Sequence, residues 1–84
     1  MSYSIGILRR AQKELAQLPK HEYERIKEAI KNLSQEPRPA GCKKLSGREG
    51  WRIRAGDYRV IYEIDDSQQS LTIQHIGHRR DVYK

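Results

Sequence analysis

The sequence predicts an α+β domain in the order β-α-α-β-β-β, with a helical hairpin packed on one face of a small, mainly antiparallel sheet. Three observations predict it. Apolar residues step by three and four before Ser34 and by two after Gly50, which marks a change from helical to strand periodicity. A punctuated stretch holding Pro37, Pro39, Gly41, Gly47 and Gly50 separates the two regimes. Finally, 84 residues allow one domain, spanning 1–84, and a domain that small buries about 60% of its unfolded surface at best.

Each element follows in order. Tyr3-Ser4-Ile5-Gly6-Ile7 alternates apolar and small residues, as a short strand does. From Leu8 the residues Leu8, Ala11, Leu15 and Leu18 form one helical stripe, and Pro19 stops it. A second stripe runs through Tyr23, Ile26, Ile30 and Leu33, with Ala29 beside it. Two stripes joined by a short Pro-containing break make an antiparallel helical hairpin. Residues 34–50 read as a loop, with a turn of structure around Lys43-Lys44-Leu45. After Gly50, Trp51, Ile53 and Ala55 alternate with Arg52 and Arg54. Gly56-Asp57 makes a turn, and Tyr58, Val60, Tyr62 and Ile64 alternate with Arg59, Ile61 and Glu63. A second turn at residues 65–69 leads to Leu71, Ile73 and His75 alternating with Thr72, Gln74 and Ile76, completing a three-stranded meander.

Composition narrows the function. Seventeen Lys+Arg against eleven Asp+Glu give a net charge of +6, which suits a polyanion or an acidic protein partner. The lone cysteine, Cys42, excludes an internal disulfide and a cysteine-based zinc cluster. His21, His75 and His78 lack metal-ligand spacing, so neither metal nor cofactor is expected. The longest apolar run is far shorter than the ~20 residues of a membrane span. The first residues show no basic flank or apolar core of a secretory signal. A cytoplasmic protein with no membrane association is the expectation.

The strand alternation places candidate chemistry. With Trp51, Ile53, Val60, Tyr62, Leu71 and Ile73 toward the helices, Arg52, Arg54 and Arg59 point to the opposite, open face. One basic strand is ordinarily just a solvated face, but three arginines converging with a basic C-terminal stretch bind phosphate well. That stretch carries His78, Arg79, Arg80 and Tyr83. Lys43 and Lys44 are further candidates for contacts to the phosphates of a polyanion. By the same parity Trp51 and Tyr62 belong to the core, and His75 to the core or its edge.

These residues also form recognisable motifs. Trp51-Arg52-Ile53-Arg54-Ala55-Gly56-Asp57-Tyr58-Arg59-Val60-Ile61-Tyr62 resembles the "W-R-[ILV]-R-x-G-x-Y-R-[VIL]-x-Y" core of the RelE/ParE toxin superfamily. Lys44-Leu45-Ser46-Gly47 is similar to its "K-L-x-G" lead-in. Gly77-His78-Arg79-Arg80-Asp81-Val82-Tyr83 resembles the "G-H-R-x-x-V-Y" ending of the RelE branch. The resemblance covers essentially the whole chain and its element order.

The resemblance implies a toxin of a type II toxin–antitoxin pair with a RelE-like fold. It implies a ribosome-dependent endoribonuclease that cuts mRNA in the A site without a metal, inhibiting translation. A 2′-hydroxyl attacks the neighbouring phosphate, leaving a 2′,3′-cyclic phosphate and a 5′-hydroxyl. By position, Arg52 and Arg54 hold and polarise the phosphate, and Arg59 stabilises the extra charge of the transition state. Arg79 lies near the leaving oxygen, and Tyr83 orients or deprotonates the 2′-hydroxyl. The first two positions are lysines in the best-known members. Arginine does not give up its proton, so proton transfer falls to His78 or Tyr83. Implied partners are the ribosome, mRNA and a RelB-like cognate antitoxin encoded in the same operon. Two alternatives stand beside this expectation: a ParE-type inhibitor of DNA gyrase, and a non-catalytic RNA- or protein-binding module.

Overall fold

The computed structural model describes residues 2–78; Arg79, Arg80 and Tyr83 lie outside them. In chain order it contains β1 (Ser4–Ile7), α1 (Arg9–Ala16), α2 (Lys20–Leu33), β2 (Lys43–Lys44), β3 (Trp51–Ala55), β4 (Tyr58–Asp65) and β5 (Ser70–His78). The sheet order is β1-β5-β4-β3-β2. Strands β3, β4 and β5 form the expected antiparallel meander, and β1 joins it parallel to β5. Residues 43–44, expected within a loop, instead pair with β3 as a short edge strand. The fold is thus a helical hairpin on a five-stranded mixed sheet.

The core forms where the two periodicities meet. Ile26, Ile30 and Leu33 of α2 and Ala11 of α1 are buried with Ile53, Val60, Tyr62, Leu71, Ile73 and Ile76 of the sheet. Burying each large apolar side chain contributes roughly 1.5–3 kcal/mol. Pro19 stands immediately before α2, where its missing N–H costs nothing because that N–H has no helical partner. Its carbonyl accepts from Tyr23 N at 2.8 Å.

The long connection after α2 is tied down by polar contacts. Tyr62 donates its buried hydroxyl to Pro37 O at 2.7 Å, and burial pushes that phenol well above the ordinary tyrosine range. Arg38 forks onto Asp66 with Nη1 and Nη2 at 3.3 and 2.9 Å. Its guanidinium also lies 4.9 Å from the Trp51 ring centre.

One irregularity redirects the last strand. Ile61 pairs with His75 but Tyr62 pairs with Ile73, so Gln74 is an extra residue at a β-bulge. Simple alternation would put His75 beside Leu71 and Ile73. The bulge shifts the parity, so Ile76 takes the core position, 2% exposed, and His75 leaves it. Beyond Ile73, β1 no longer covers the β5 edge. Glu14 of α1 covers it instead, accepting from Ile76 N at 2.8 Å and lying 3.0 Å from His75 Nδ1. A carboxylate only accepts, so the ring donates through Nδ1.

Candidate nucleic-acid interface

The register lays out the sheet face turned away from the helices. Lys43, Arg52, Ile61 and His75 form one cross-strand row, and Arg54, Arg59 and Gly77 form the next. The spacing within the second row is set by the β3–β4 hairpin. Gly56 has φ +62° and Asp57 does not share the positive φ, the pattern of a two-residue type II′ turn, in which glycine occupies the first central position. Ala55 and Tyr58 close that turn. Arg54 and Arg59 are therefore a non-hydrogen-bonded pair, the kind with the closer side chains.

Arg54 is exposed and Arg59 half-buried. Arg52 departs from the expected openness, being only 6% exposed. Its row neighbour Ile61 is 3% exposed although it lies outside the main core cluster. That face therefore has a small apolar patch of its own, beside which the largely buried Arg52 lies in the same cross-strand row. At the outer edge of β3, Lys43, Arg52, Ile53 and Arg54 line a recess of about 500 Å³ with Ala29 and Asn32 of α2.

The remaining candidates separate. Lys43 shares the row of Arg52. Lys44 pairs with Trp51, so it has the opposite parity, with its ammonium 5.4 Å from the Trp51 ring centre and 3.8 Å from Glu49. His78 pairs with Tyr58, their rings edge to face at 5.6 Å. The bulge thus places His78 on the helix-side parity, opposite to that of Arg54 and Arg59, which corrects the expectation of one shared face. The candidates Arg79, Arg80 and Tyr83 fall outside the described residues. Among the described residues, no three His, Cys, Asp or Glu side chains cluster as a metal site. No helix among them is long and apolar enough to cross a membrane.

A helical hairpin on such a mixed sheet has known counterparts. The family model described as "ParE toxin of type II toxin-antitoxin system, parDE" matches residues 5–83. The chain belongs to this toxin family. The toxin RelG of Mycobacterium tuberculosis is 32% identical to it, over 100% of this chain and 99% of RelG. The toxin–antitoxin complex RelBE2 of the same organism contains a chain with a TM-score of 0.84 and 28% identity, covering 94% of this toxin and 100% of that chain. The archaeal RelE–RelB complex of Pyrococcus horikoshii OT3 matches with the same TM-score at 33% identity, covering 98% and 100%. Membership of the RelE/ParE superfamily and the RelE-like fold expected from the motifs both hold.

Two features of the toxin escaped the sequence. Glu14 looks like an ordinary charge on the outer side of α1, and only the early end of β1 shows why a carboxylate is wanted there. Arg48 stands in the loop before β3, yet Nη2 donates to Gln74 Oε1 on β5 at 3.2 Å. Gln74 in turn donates through Nε2 to Glu63 of β4. Loop residues have no parity, so no periodicity could place Arg48 over the sheet.

Proposed function

We propose that this toxin is a ribosome-dependent mRNA endoribonuclease that cuts in the A site and inhibits translation in the cytoplasm. The observation that carries this reading is the direct opposition of Arg54 and Arg59 on an open sheet face. Two adjacent guanidinium groups match the non-bridging oxygens of one phosphate and favour the additional negative charge of a five-coordinate phosphorus. In the reaction, the 2′-oxygen loses its proton to a base and forms the new P–O bond. The P–O5′ bond breaks, and the 5′-oxygen takes a proton. Arg54 and Arg59 stabilise charge in both half-steps, with Arg52 supporting them. Tyr83 and His78 are the candidates for proton transfer, Arg79 for the leaving oxygen, and Lys43 and Arg80 for flanking phosphates. Charge neutralisation by these arginines lets the step proceed without a metal ion.

The relatives solved as RelB–RelE complexes support a RelB-like cognate antitoxin as partner, one whose amphipathic segment covers the basic or apolar surface. The gyrase-directed alternative is less favoured, because inhibiting gyrase gives no role to arginines paired for one phosphate. The deciding experiment compares A-site mRNA on purified ribosomes with the same RNA free in solution. The sheet face offers charge but little enclosure, so orientation must come from the ribosome. Fast cleavage of ribosome-bound mRNA and little cleavage of free RNA is expected. Equal rates on both would sink the reading, and DNA breakage dependent on gyrase would replace it.

A further inference from the structure

Arg48 has no assigned role, and its setting differs from that of Arg10 and Arg38. Arg10 and Arg38 are held by carboxylates, Glu14 and Asp66. Arg48 is held by the amide oxygen of Gln74. A carboxylate partner would cancel most of its charge toward a ligand, whereas a neutral amide orients the guanidinium and keeps the nearest carboxylate, Glu63, one hydrogen bond further away. The Gln74 amide is itself fixed, because its Nε2 donates to Glu63. Glu63 shares parity with Arg59 and Ile61 on β4, so the Arg48 guanidinium lies over the same face as the Arg54–Arg59 pair.

Distance separates the two positions. Glu63 is four residues along β4 from Arg59, which is about 13 Å at the rise of an antiparallel strand. The Arg48 position is thus offset along the strand direction from the Arg54–Arg59 pair. Between them lie Ile61 and Arg52, with His75 opposite Ile61 and the short side chains of Gly77, Thr72 and Gly6 toward the two ends. Among the described residues, none of the Trp or Tyr side chains at 51, 58 and 62 shares this parity, so a strand lying here is held by its phosphates.

We infer that Arg48 binds a second phosphate of the same RNA strand, and that Gln74 positions it, so that the substrate runs along β4 from the Arg54–Arg59 pair toward Glu63. The inference rests on the endoribonuclease reading for its substrate, but it concerns binding and can be tested apart from cleavage. Two measurements suffice. One is the affinity of the toxin for a short single-stranded RNA 2′-O-methylated throughout, so that no 2′-oxygen can attack, measured across a salt series. The other is KM and single-turnover rate on ribosome-bound mRNA. Arg48→Ala should weaken oligonucleotide binding and reduce the slope of log K against log salt by about 0.7, the value for one lost contact to a single strand. It should raise KM while leaving the saturating single-turnover rate within about twofold, as loss of uniform binding does. Arg48→Lys should restore the salt slope but only part of the affinity, because the charge returns without the fork. Gln74→Ala should lose less affinity than Arg48→Ala. Lys27→Ala, on α2, should change nothing. Binding and slope unchanged in Arg48→Ala would overturn the inference, even if the wild type cleaves as proposed. A weakened, flatter salt dependence in a protein that fails to cleave would uphold the inference and reject only the nuclease reading. Loss of binding that tracks a fall in thermal midpoint, with no rescue by Arg48→Lys, would make Arg48 a structural tether and would also overturn it.

Discussion

Arg54 and Arg59 stand directly opposite each other across the β3–β4 ladder, two like charges at a pairing site where side chains approach closely. Such pairs destabilise a sheet by about 0.2–1 kcal/mol, and the lower figure applies here because Arg54 is exposed and water-screened. A doubly charged ligand bridging the two groups removes the repulsion and adds charge-assisted hydrogen bonds, so the pair makes sense as a prepared anion site.

Stability and activity should therefore move apart at these positions. Arg54→Thr places a β-branched residue in the strand and removes the repulsion, so its denaturation midpoint should equal or slightly exceed that of the wild type while cleavage falls. Arg59→Ala should lower the single-turnover rate by ~10²-fold or more, the scale of losing one preorganised donor, with ribosome affinity barely changed. A proportional loss of affinity and rate in Arg59→Ala would mark it as a docking residue.

How far the sequence reached can be seen along β5. Periodicity placed Leu71, Ile73, Tyr62 and Val60 in the core and put Arg52, Arg54 and Arg59 together on the opposite face, because side chains in an unbroken strand alternate without exception. That logic failed at Gln74. A bulge carries no marker in this segment, which has no glycine or proline at the position, and every residue after it changes face. His78 was misplaced for that reason alone, whereas His75 sits at the edge of the core, one of the two places expected, held by Glu14. The pairing of residues 43–44 with β3 was missed because two residues are too few to show a period. The motif resemblance was robust to both errors, since it depends on residue order and not on facing.

Glu14 gives the clearest test of the tertiary contacts that periodicity could not show. Its side chain is 24% exposed and substitutes for the strand that β5 lacks beyond Ile73. Removing the acceptor leaves the Ile76 N–H without a partner, which costs about 1–3 kcal/mol. Glu14→Ala should lose that much in urea unfolding, and amide exchange at Ile76 should accelerate. Glu14→Gln keeps an oxygen within reach and should lose clearly less. Equal losses in the two variants would show that packing of the side chain, and not its acceptor, supports the strand edge.

Acid should loosen the connection that carries Arg38. The hydrogen bond from Arg38 holds the Asp66 carboxyl below its usual range, with a further contribution from the Tyr3 hydroxyl at 2.7 Å. A depressed folded-state value contributes stability that is fully present above the unfolded pKa of about 3.9 and is lost as pH falls through the folded value. Asp65 is lowered too, chiefly by the Ser67 hydroxyl, and acts in the same direction. The urea midpoint should be flat with respect to these groups near neutrality and should drop on acidification below about pH 4. In Asp66→Asn that drop should be shallower. An unchanged acid profile in Asp66→Asn would place the sensitivity at Asp65 or elsewhere.

The proton-transfer group is decided by a paired substitution. His78 ends β5 on the helix-side parity, its ring edge-on to Tyr58, whereas the phosphate-facing pair occupies the other side of the sheet. An imidazole so placed is poorly aimed at a ribose hydroxyl lying over Arg54 and Arg59, and general-base catalysis requires hydrogen-bond reach of the proton removed. His78→Gln should therefore leave the single-turnover rate within about threefold and the pH–rate profile unshifted, against the ~10²- to 10⁴-fold loss typical of removing a general base. Tyr83→Phe removes only a hydroxyl and keeps the ring, so it should cut the rate by ~10- to 10⁴-fold with thermal unfolding nearly unchanged. The pH–rate profile of Tyr83→Phe should lose one limb. If His78→Gln is the variant that abolishes cleavage and moves the profile, the histidine must turn across the strand end to reach the substrate, and the assignment passes from the phenol to the imidazole.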